Sequence, residues 1–444
     1  MRPQPLSNAL VQPLLHLRSS LACLDVETLA RRCGFLHRRP RKIPIADLVL
    51  AFCALAPAPV LSLERIASVI ALAAGCSYSK QAFHQRLCSS IEQFLAAVIT
   101  ALFGRLSAPL HSQGCFAAFG RVLLHDSTVQ ALPKHLAPFF PGSASQRLKK
   151  AAALKIQWVC DLLSGSVVQL SLSSFRRNDQ AAAADILTVA QKGDLILRDL
   201  GYFSLPVLAE LHQRGAFFLS RLRHGVGLRD PVTREPIDLL KILRREGRFD
   251  RWVLLGQEEV LARVVALAVP QEVADRRRAL AKNNRDQRSA PEPRRLALMS
   301  WSLFVTNVRS TVWPPKLIAR IYRLRWRIEI IFKSWKSYLR LQELNCRSAD
   351  LVRLSVMLKL LYCVLTARCA DRLGVLVAEE RQVSLLRLSC ILADCGLLLS
   401  AILLQIRPEE FLGHLLAHHA FYDRRSDRQN FLQQPQPPER PTLT

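Results

Sequence analysis

The sequence predicts an α/β protein in which a mixed sheet in the middle of the chain is flanked by helical regions. Three patterns support this class. Apolar residues recur at spacings of three and four up to about Gln113, short apolar strands alternate with helices after Gly120, and only helical patterns follow Asp350. The chain has 444 residues, of which 50% are hydrophobic, so we expect a large core and two or three domains.

The amino-terminal region is predicted to be helical. Helical spacing covers residues 45–55, 63–73 and 90–106, with prolines and serines between them. A Gly-Cys-Ser turn at 75–77 follows the second helix and leads into a basic segment at 78–87. A helix, a short turn and a basic helix are typical of a helix-turn-helix DNA reader. Because many helical bundles show the same pattern, both interpretations stay open.

The region after Gly120 is predicted to form the sheet. Its first strand, at 121–124, is a branched apolar run that ends on polar residues beginning with His125 and Asp126. Asn178 or Asp179 is expected to cap the first helix of this region. The further strands are predicted at residues 154–159, 167–172, 195–197 and 217–219, and the helices at residues 179–191 and 204–214.

The segment from about Gly225 to Met299 interrupts this alternation. It contains polar strand candidates at 252–255 and 260–267, followed by a charged, proline-bearing loop at 275–295. We therefore expect a mostly β insertion in the sheet region.

The chain is predicted to return to the sheet at 302–308, and Pro314-Pro315 then starts a long helix that carries Glu329. The tail from Asp423 is rich in Arg, Gln and Pro, and we expect it to be disordered.

The most hydrophobic segment, residues 385–406, approaches the length of a membrane span. It contains Arg387 and Asp394, and charges are costly at the middle of a bilayer. We therefore expect a buried helix pair that turns near Gly396, and no membrane partner. The sequence opens without a secretory pattern, so a cytoplasmic location is expected. The 12 cysteines lack zinc-site and Cys-x-x-Cys spacing and are interpreted as reduced core residues.

The charge of the chain indicates a polyanionic partner. Lysine and arginine together number 62 against 35 acidic residues, which gives a formal net charge of +27. An excess of this size favours binding to nucleic acid or to an anionic membrane. The basic residues are dispersed along the chain, which suggests a long binding track.

One stretch places four reactive residue types at helical spacing. At about 100° per residue, Tyr322, Arg325, Glu329 and Lys336 fall within an arc of roughly 60° on one helix face. A carboxylate among cations and a phenol suits a metal ligand beside a polyanion. An ordinary amphipathic helix with a solvated Glu and Arg pair is the alternative that this segment alone leaves open.

Two aspartates add to this helix. Asp126 and Asp199 each follow an apolar strand, where a carboxylate is held rigidly while the sheet satisfies its backbone. If Glu329 joins them, three acidic oxygens converge without histidine or thiolate. That donor set favours Mg²⁺, with Mn²⁺ as the alternative, over zinc. Two such ions about 3.5 to 4 Å apart support cleavage and rejoining of DNA without a protein nucleophile.

These three segments resemble the acidic motifs of bacterial insertion-sequence transposases with a DDE site. The matching residues are His-Asp-Ser-Thr at 125–128, Asp-Leu-Gly-Tyr-Phe-Ser at 199–204, and the spacing from Tyr322 to Lys336, which looks like the Tyr-Arg-Glu-Lys (YREK) branch. The resemblance covers residues 123–341, with weaker likeness before it.

The resemblance implies a ribonuclease-H-like catalytic core and Mg²⁺-dependent strand cleavage and transfer at the ends of a mobile element. Asp126, Asp199 and Glu329 would be the catalytic metal ligands, and Tyr322, Arg325 and Lys336 would contact DNA phosphates. Lys333, on the same helix face, either holds a phosphate or is solvated. The implied partner is double-stranded DNA, both terminal inverted repeats and target, bound by a homodimer or higher oligomer at the nucleoid of a bacterial cytoplasm.

The residues beside the acidic motifs have less specific roles. His125 is either a partner of the first aspartate or a structural residue. Tyr202 and Phe203 are expected to pack the helix after Asp199 against the sheet.

The expected organisation has six parts. They are a helical DNA-binding region (1–115), the first part of the catalytic core (116–224), the insertion (225–300), the end of the core with the Glu helix (301–345), a helical region (346–422) and the tail (423–444).

Two further function classes remain open from the residues. A ribonuclease-H-like nuclease that cleaves without joining ends would use the same three ligands. A non-catalytic DNA-binding protein derived from a mobile element ranks last, because all three acidic positions are present.

Overall fold

The computed structural model contains a nine-stranded sheet with helices packed on both faces. Its strands, numbered along the chain, lie in the order β3-β2-β1-β4-β5-β9-β8-β7-β6. The strands are β1 Val122–Leu132, β2 Ala152–Asp161, β3 Val167–Ser174, β4 Leu195–Arg198, β5 Phe217–Arg221, β6 Leu228–Arg229, β7 Phe249–Leu255, β8 Val260–Ala268 and β9 Trp301–Thr306. The structure describes residues 15, 18–19, 21–38, 42–58, 61–106, 114–143, 151–283, 292–326, 328–329, 332, 348–374 and 385–412.

The amino-terminal helices form where the apolar spacing predicts them. Gly75, at a φ of 62°, ends one helix in the left-handed conformation that glycine tolerates best. Ser79 caps the next helix by accepting a hydrogen bond from the N–H of Ala82. The predicted helix, turn and helix are confirmed as geometry, and DNA reading by them stays a prediction. The described helices are Val26–Arg32, Ile45–Leu55, Leu63–Ala74, Lys80–Arg86 and Ser90–Leu106.

The first strand is longer than predicted. It was expected to end at Leu124, but β1 continues through Asp126 to Leu132. The reason is β2, which pairs with β1 in antiparallel register along nearly its full length and satisfies the backbone of the polar residues. The parallel pairing of β1 with β4 ends at His125, opposite Arg198. Asp126 therefore follows the parallel ladder and does not lie at the end of its strand.

The strands after β1 confirm the predicted order, and one predicted helix is wrong in type. Residues 179–191 were expected to form a capped α-helix, but they contain a short 3₁₀ helix, Ala183–Thr188. Asn178 does accept a hydrogen bond from the N–H of Ala181, at 2.8 Å. The predicted helix at 204–214 is present as Leu205–Gln213.

The segment 225–300 is more helical than predicted. Helices Leu239–Glu246, Gln271–Lys282 and Pro293–Leu298 cover more of its described residues than β6, β7 and β8 do. Gln271–Lys282 occupies the first part of the predicted loop at 275–295, because its alanine, arginine and lysine residues are strong helix formers. The expectation of a mostly β insertion is therefore wrong, although β7 and β8 form where predicted.

This segment is continuous with the sheet. Strand β9 pairs in antiparallel fashion with β5 on one side and with β8 on the other. Arg263 on β8 is 1% exposed and forms a bidentate ion pair with Asp250. The same guanidinium donates hydrogen bonds to the carbonyl oxygens of Val308 and Trp313, and so holds the connection between β9 and the next helix.

The helix that starts at Pro315 is shorter than predicted. It ends at Arg323, and Leu324 and Arg325 form a turn before helical geometry resumes at Trp326. The N–H groups of Leu324 and Arg325 bond to carbonyl oxygens three residues back, which is the tighter 3₁₀ pattern. A single straight helix from Pro315 to Glu329 is therefore not formed.

The core lies on both faces of the sheet. One face packs against helices from both ends of the chain, since Ser90–Leu106 contacts both β3 and Ala349–Gly374. The other face packs against the helix Leu205–Gln213 and the insertion. The face on which an element packs decides which strand residues it meets, because side chains alternate along each strand.

The carboxyl-terminal part of the described chain is helical, as predicted. Helices Leu385–Asp394 and Gly396–Leu404 form the expected pair that turns next to Gly396. Within the described ranges, no helix has both the length and the apolar character that crossing a bilayer requires. The tail from Asp423 lies outside the described residues.

Candidate active site

Strands β1 and β4 bring two of the predicted acidic residues to the same level of the sheet, just past the end of their parallel pairing. Their parallel pairing places Leu124 beside Leu197 and His125 beside Arg198. Asp126 and Asp199 are the next residue in each chain segment, so both leave the parallel ladder at the same level. Asp199 has extended backbone geometry and precedes a short 3₁₀ turn. The meeting of the two carboxylates follows from this register, although only Asp199 directly follows a strand.

A single guanidinium joins these two aspartates to Glu329. Arg325 Nη1 lies 3.1 Å from Asp126 Oδ2, and Arg325 Nε lies 3.7 Å from Asp199 Oδ1. Arg325 Nη2 lies 2.7 Å from Glu329 Oε1, one helical turn further along the chain. The Arg325 side chain is 7% exposed. Three carboxylates that are far apart in sequence therefore converge on one buried cation.

Two aromatic rings lie next to the Arg325 guanidinium. The Arg325 guanidinium carbon lies 5.8 Å from the Tyr322 ring centroid and 5.6 Å from that of Trp326. The Tyr322 hydroxyl donates to Asp199 Oδ1 at 3.3 Å. Burial and the neighbouring Asp199 raise the pKa of Tyr322, so its hydroxyl stays protonated and can donate.

The site carries excess negative charge. Burial is the main cause that raises the pKa of Asp126 from 3.8 to about 6. The neighbouring carboxylates of Asp199 and Glu329 act in the same direction. The N–H of Ser127 and the Arg325 guanidinium oppose the shift without cancelling it. Burial of Asp126 therefore outweighs the stabilisation that Ser127 and Arg325 give its charged form.

This shift predicts how stability depends on pH. A carboxyl group whose pKa is higher in the folded state than in the unfolded state stabilises the fold at pH values below its unfolded pKa. This contribution is lost as the pH rises from about 4 through 6. The difference in pKa corresponds to at most about 3 kcal/mol. In a chelator, Asp126→Asn should therefore unfold at a higher temperature than the unmodified protein at pH 7.5.

The measurement is thermal denaturation of both proteins at pH 5 and pH 7.5. The gain from Asp126→Asn should shrink at pH 5, where the carboxyl group is mostly protonated. An equal gain at the two pH values would contradict the raised pKa.

The donor set fits a hard divalent cation, although the present side-chain positions do not form a complete site. In the part of the chain that the structure describes, no three acidic, histidine or cysteine side chains are arranged to hold a metal ion as they stand. The Arg325 guanidinium contacts the three carboxylates instead. Oxygen-only donors and unbalanced negative charge are the features that Mg²⁺ or Mn²⁺ would match.

The predicted phosphate contacts of all four residues stay predictions, and the structure describes only Tyr322 and Arg325 among them. Tyr322 and Arg325 are mostly buried and face carboxylates in this structure. Lys333 and Lys336 lie outside the described residues, so their contacts with DNA stay a prediction.

Residues behind the acidic site were not identified from sequence as functional. Asp179, interpreted there as a helix cap, accepts hydrogen bonds from Ser127 Oγ at 2.8 Å and from Lys155 Nζ at 3.0 Å. One signal was available. Lys155 is a charged residue within β2, whose ten residues are all buried.

His125 and Tyr202 lie in the same region. Their ring centroids are 4.1 Å apart, and both side chains are buried. Burial is the main cause that lowers the pKa of His125 well below 6.5, so the imidazole is neutral. Tyr202 donates a hydrogen bond to Gln157 Oε1 at 2.6 Å, which attaches the turn after Asp199 to β2. The expectation that Tyr202 packs against the sheet is confirmed.

Comparison with known proteins gives a consistent result. A family model described as "Transposase DDE domain" matches residues 117–365, which is more than half of the chain. The chain is 28% identical over 359 residues to the transposase for insertion sequence element IS231B of Bacillus thuringiensis subsp. berliner, covering 74% of each chain. It is 25% identical over 357 residues to the transposase for insertion sequence element IS421 of Escherichia coli, covering 76% of this chain and 88% of that protein.

Proposed function

The chain belongs to the DDE-domain transposase family, and on this basis we propose that it cleaves and joins DNA strands at the ends of an insertion sequence. The observation that supports this proposal is the convergence of Asp126, Asp199 and Glu329 on one guanidinium. The order β3-β2-β1-β4-β5, with β1, β4 and β5 parallel, supports a ribonuclease-H-like core.

The three carboxylates are proposed to hold two divalent cations, Mg²⁺ or Mn²⁺. The chemistry that such ions supply is activation of the attacking hydroxyl and stabilisation of the leaving 3′ oxygen. Asp126 is fixed by β1 and β2, and Asp199 is oriented by the Tyr322 hydroxyl. Arg325 would partly compensate the charge of the three carboxylates when no cation is bound.

The proposed partners are the terminal inverted repeats of the element and its target DNA. A formal charge of +27 favours a polyanionic duplex along an extended surface. Residues 1–115 are proposed to hold the ends, and pairing of two ends would require a homodimer or a higher oligomer. A bacterial cytoplasm, at the nucleoid, is the proposed location.

The decisive experiment is incubation of the purified protein with labelled candidate ends, a target plasmid and Mg²⁺. Cleavage at the end followed by joining to the plasmid is the expected result. Cleavage without joining would favour the nuclease alternative. Binding without either reaction would favour a non-catalytic DNA-binding protein.

The lysines of the YREK segment give a prediction about binding. Lys333→Ala and Lys336→Ala should each weaken binding to end DNA and lower the slope of log affinity against log salt by about 1. Fluorescence anisotropy at several salt concentrations measures this slope. Lys192→Ala, which removes an exposed charge at the opposite end of β4, is the control and should change the slope less. Equal slopes in all variants would mean that these lysines face solvent.

A further inference from the structure

A polar cluster behind the acidic site links the two chain segments that carry its aspartates. We propose that Asp179 is a positioning residue, which fixes Asp126 and Asp199 relative to each other from the opposite face of the sheet. This inference rests on the proposed function, because it concerns the metal-binding geometry of the same site.

The alternation of side chains along β1 places the cluster on that opposite face. Leu124 belongs to the core cluster that contains Tyr322, and Asp126 has the same parity along the strand. Leu123 belongs to the other core cluster, which contains Tyr202, and Ser127 shares its parity. Ser127 therefore points away from Arg325 and towards Asp179.

The Asp179 carboxylate meets both catalytic segments. Its Oδ1 accepts from Ser127 Oγ, the residue directly after Asp126. Its Oδ2 packs on Gly201, two residues after Asp199. A Cβ added to Gly201 would lie 3.1 Å from Asp179 Oδ2 and 3.3 Å from Asp179 Cβ. A larger residue at position 201 would have to move the carboxylate or the turn.

Backbone contacts carry this alignment through to the site. The N–H of Ser127 donates to Asp126 Oδ1 at 2.8 Å, so a shift of Ser127 also moves the Asp126 carboxylate. Residues 200–202 form a short 3₁₀ turn directly after Asp199, so a shift of Gly201 moves Asp199. The Asp179 carboxylate therefore contacts the residue directly after Asp126 and the residue two positions after Asp199.

The charge of Asp179 is locally compensated. Lys155 Nζ lies 3.0 Å from Asp179 Oδ1, and the Lys155 side chain is 7% exposed. This ion pair holds the Asp179 carboxylate in place without adding uncompensated charge behind the acidic site. Asp179 can therefore act as a fixed hydrogen-bond acceptor while the carboxylates in front remain available to cations.

The test measures Mn²⁺ affinity by electron paramagnetic resonance, at a temperature where every variant is folded. Ser127→Ala removes one link with little change in volume, and Gly201→Ala displaces the other. Each should weaken Mn²⁺ binding about tenfold, which is the usual cost of losing a residue that orients a metal ligand. Asp179→Asn should act in the same direction.

Two control variants separate positioning from a general loss of stability. Asp185→Asn breaks the bidentate ion pair with Arg177 in the same region without touching either catalytic segment. Gly227→Ala adds a methyl group with no atom within 4 Å. Both should bind Mn²⁺ within about twofold of the unmodified protein.

The outcomes distinguish the two proposals. Unchanged affinity in Ser127→Ala and Gly201→Ala, or an equal loss in Asp185→Asn, would overturn the role of Asp179 and leave the proposed function intact. An unmodified protein that binds no Mn²⁺ would overturn the metal-dependent mechanism, and the positioning role with it.

Discussion

Replacing Asp126, Asp199 or Glu329 with the matching amide is expected to reduce Mg²⁺-dependent cleavage of end DNA by roughly a thousandfold or more. Each residue is proposed to hold a cation that supplies several kcal/mol of transition-state stabilisation, and every 1.36 kcal/mol changes the rate tenfold. Binding of the ends should persist, because the amides keep the shape of the side chains. Nicking of labelled ends measures the first effect, and a mobility-shift assay measures the second.

The control for these variants is Asp185→Asn, which removes a carboxylate that pairs with Arg177 and not with Arg325. It should cleave at close to the normal rate. If one of the three amide variants retained full cleavage, that residue would be removed from the catalytic set.

Arg325→Ala is expected to lower the unfolding temperature by several degrees in a chelator. Added Mg²⁺ should then raise the unfolding temperature of this variant more than that of the original protein. The substitution leaves three carboxylates without their shared cation. The cost is about 2 to 3 kcal/mol, less than for a fully buried pair, because the Asp199 and Glu329 side chains are 46% and 36% exposed. Added Mg²⁺ should restore stability, since a ligand that binds only the folded state stabilises it.

Differential scanning fluorimetry with chelator, Mg²⁺ or Mn²⁺ measures this effect. Arg177→Ala removes a bidentate partner of Asp185 and serves as the control, because its loss of stability should not respond to Mg²⁺. An Arg325→Ala protein that is as stable as the original in chelator would show that the three ion pairs contribute little.

Most of the sheet could be predicted from the sequence, because its strands are short apolar runs bounded by polar residues. The extension of β1 beyond Leu124 could not. Polar residues such as Ser127 and Gln130 weaken the apolar pattern, and only pairing with β2 keeps them in the sheet. The helix Gln271–Lys282 was missed because it is rich in charged residues and lacks a strong apolar stripe.

The candidate site was predicted in its composition but not in its internal contacts. Spacing along the chain suggested that Tyr322, Arg325 and Glu329 share a face. Arg325 contacts both Tyr322 and Glu329, as that spacing allows. Its contacts with the two aspartates depend on tertiary packing, which helical periodicity does not contain. The role of Asp179 likewise depends on a contact with Ser127, 52 positions earlier in the chain.

The bonding of β9 to both β5 and β8 has a mechanical consequence. Because the ladder runs unbroken from β4 through β5 and β9 to β8, no hinge line separates the catalytic strands from the inserted ones. A duplex that touches both parts would meet two surfaces that stay at a fixed distance from each other. Bending must then come from the duplex itself or from the helices around the sheet.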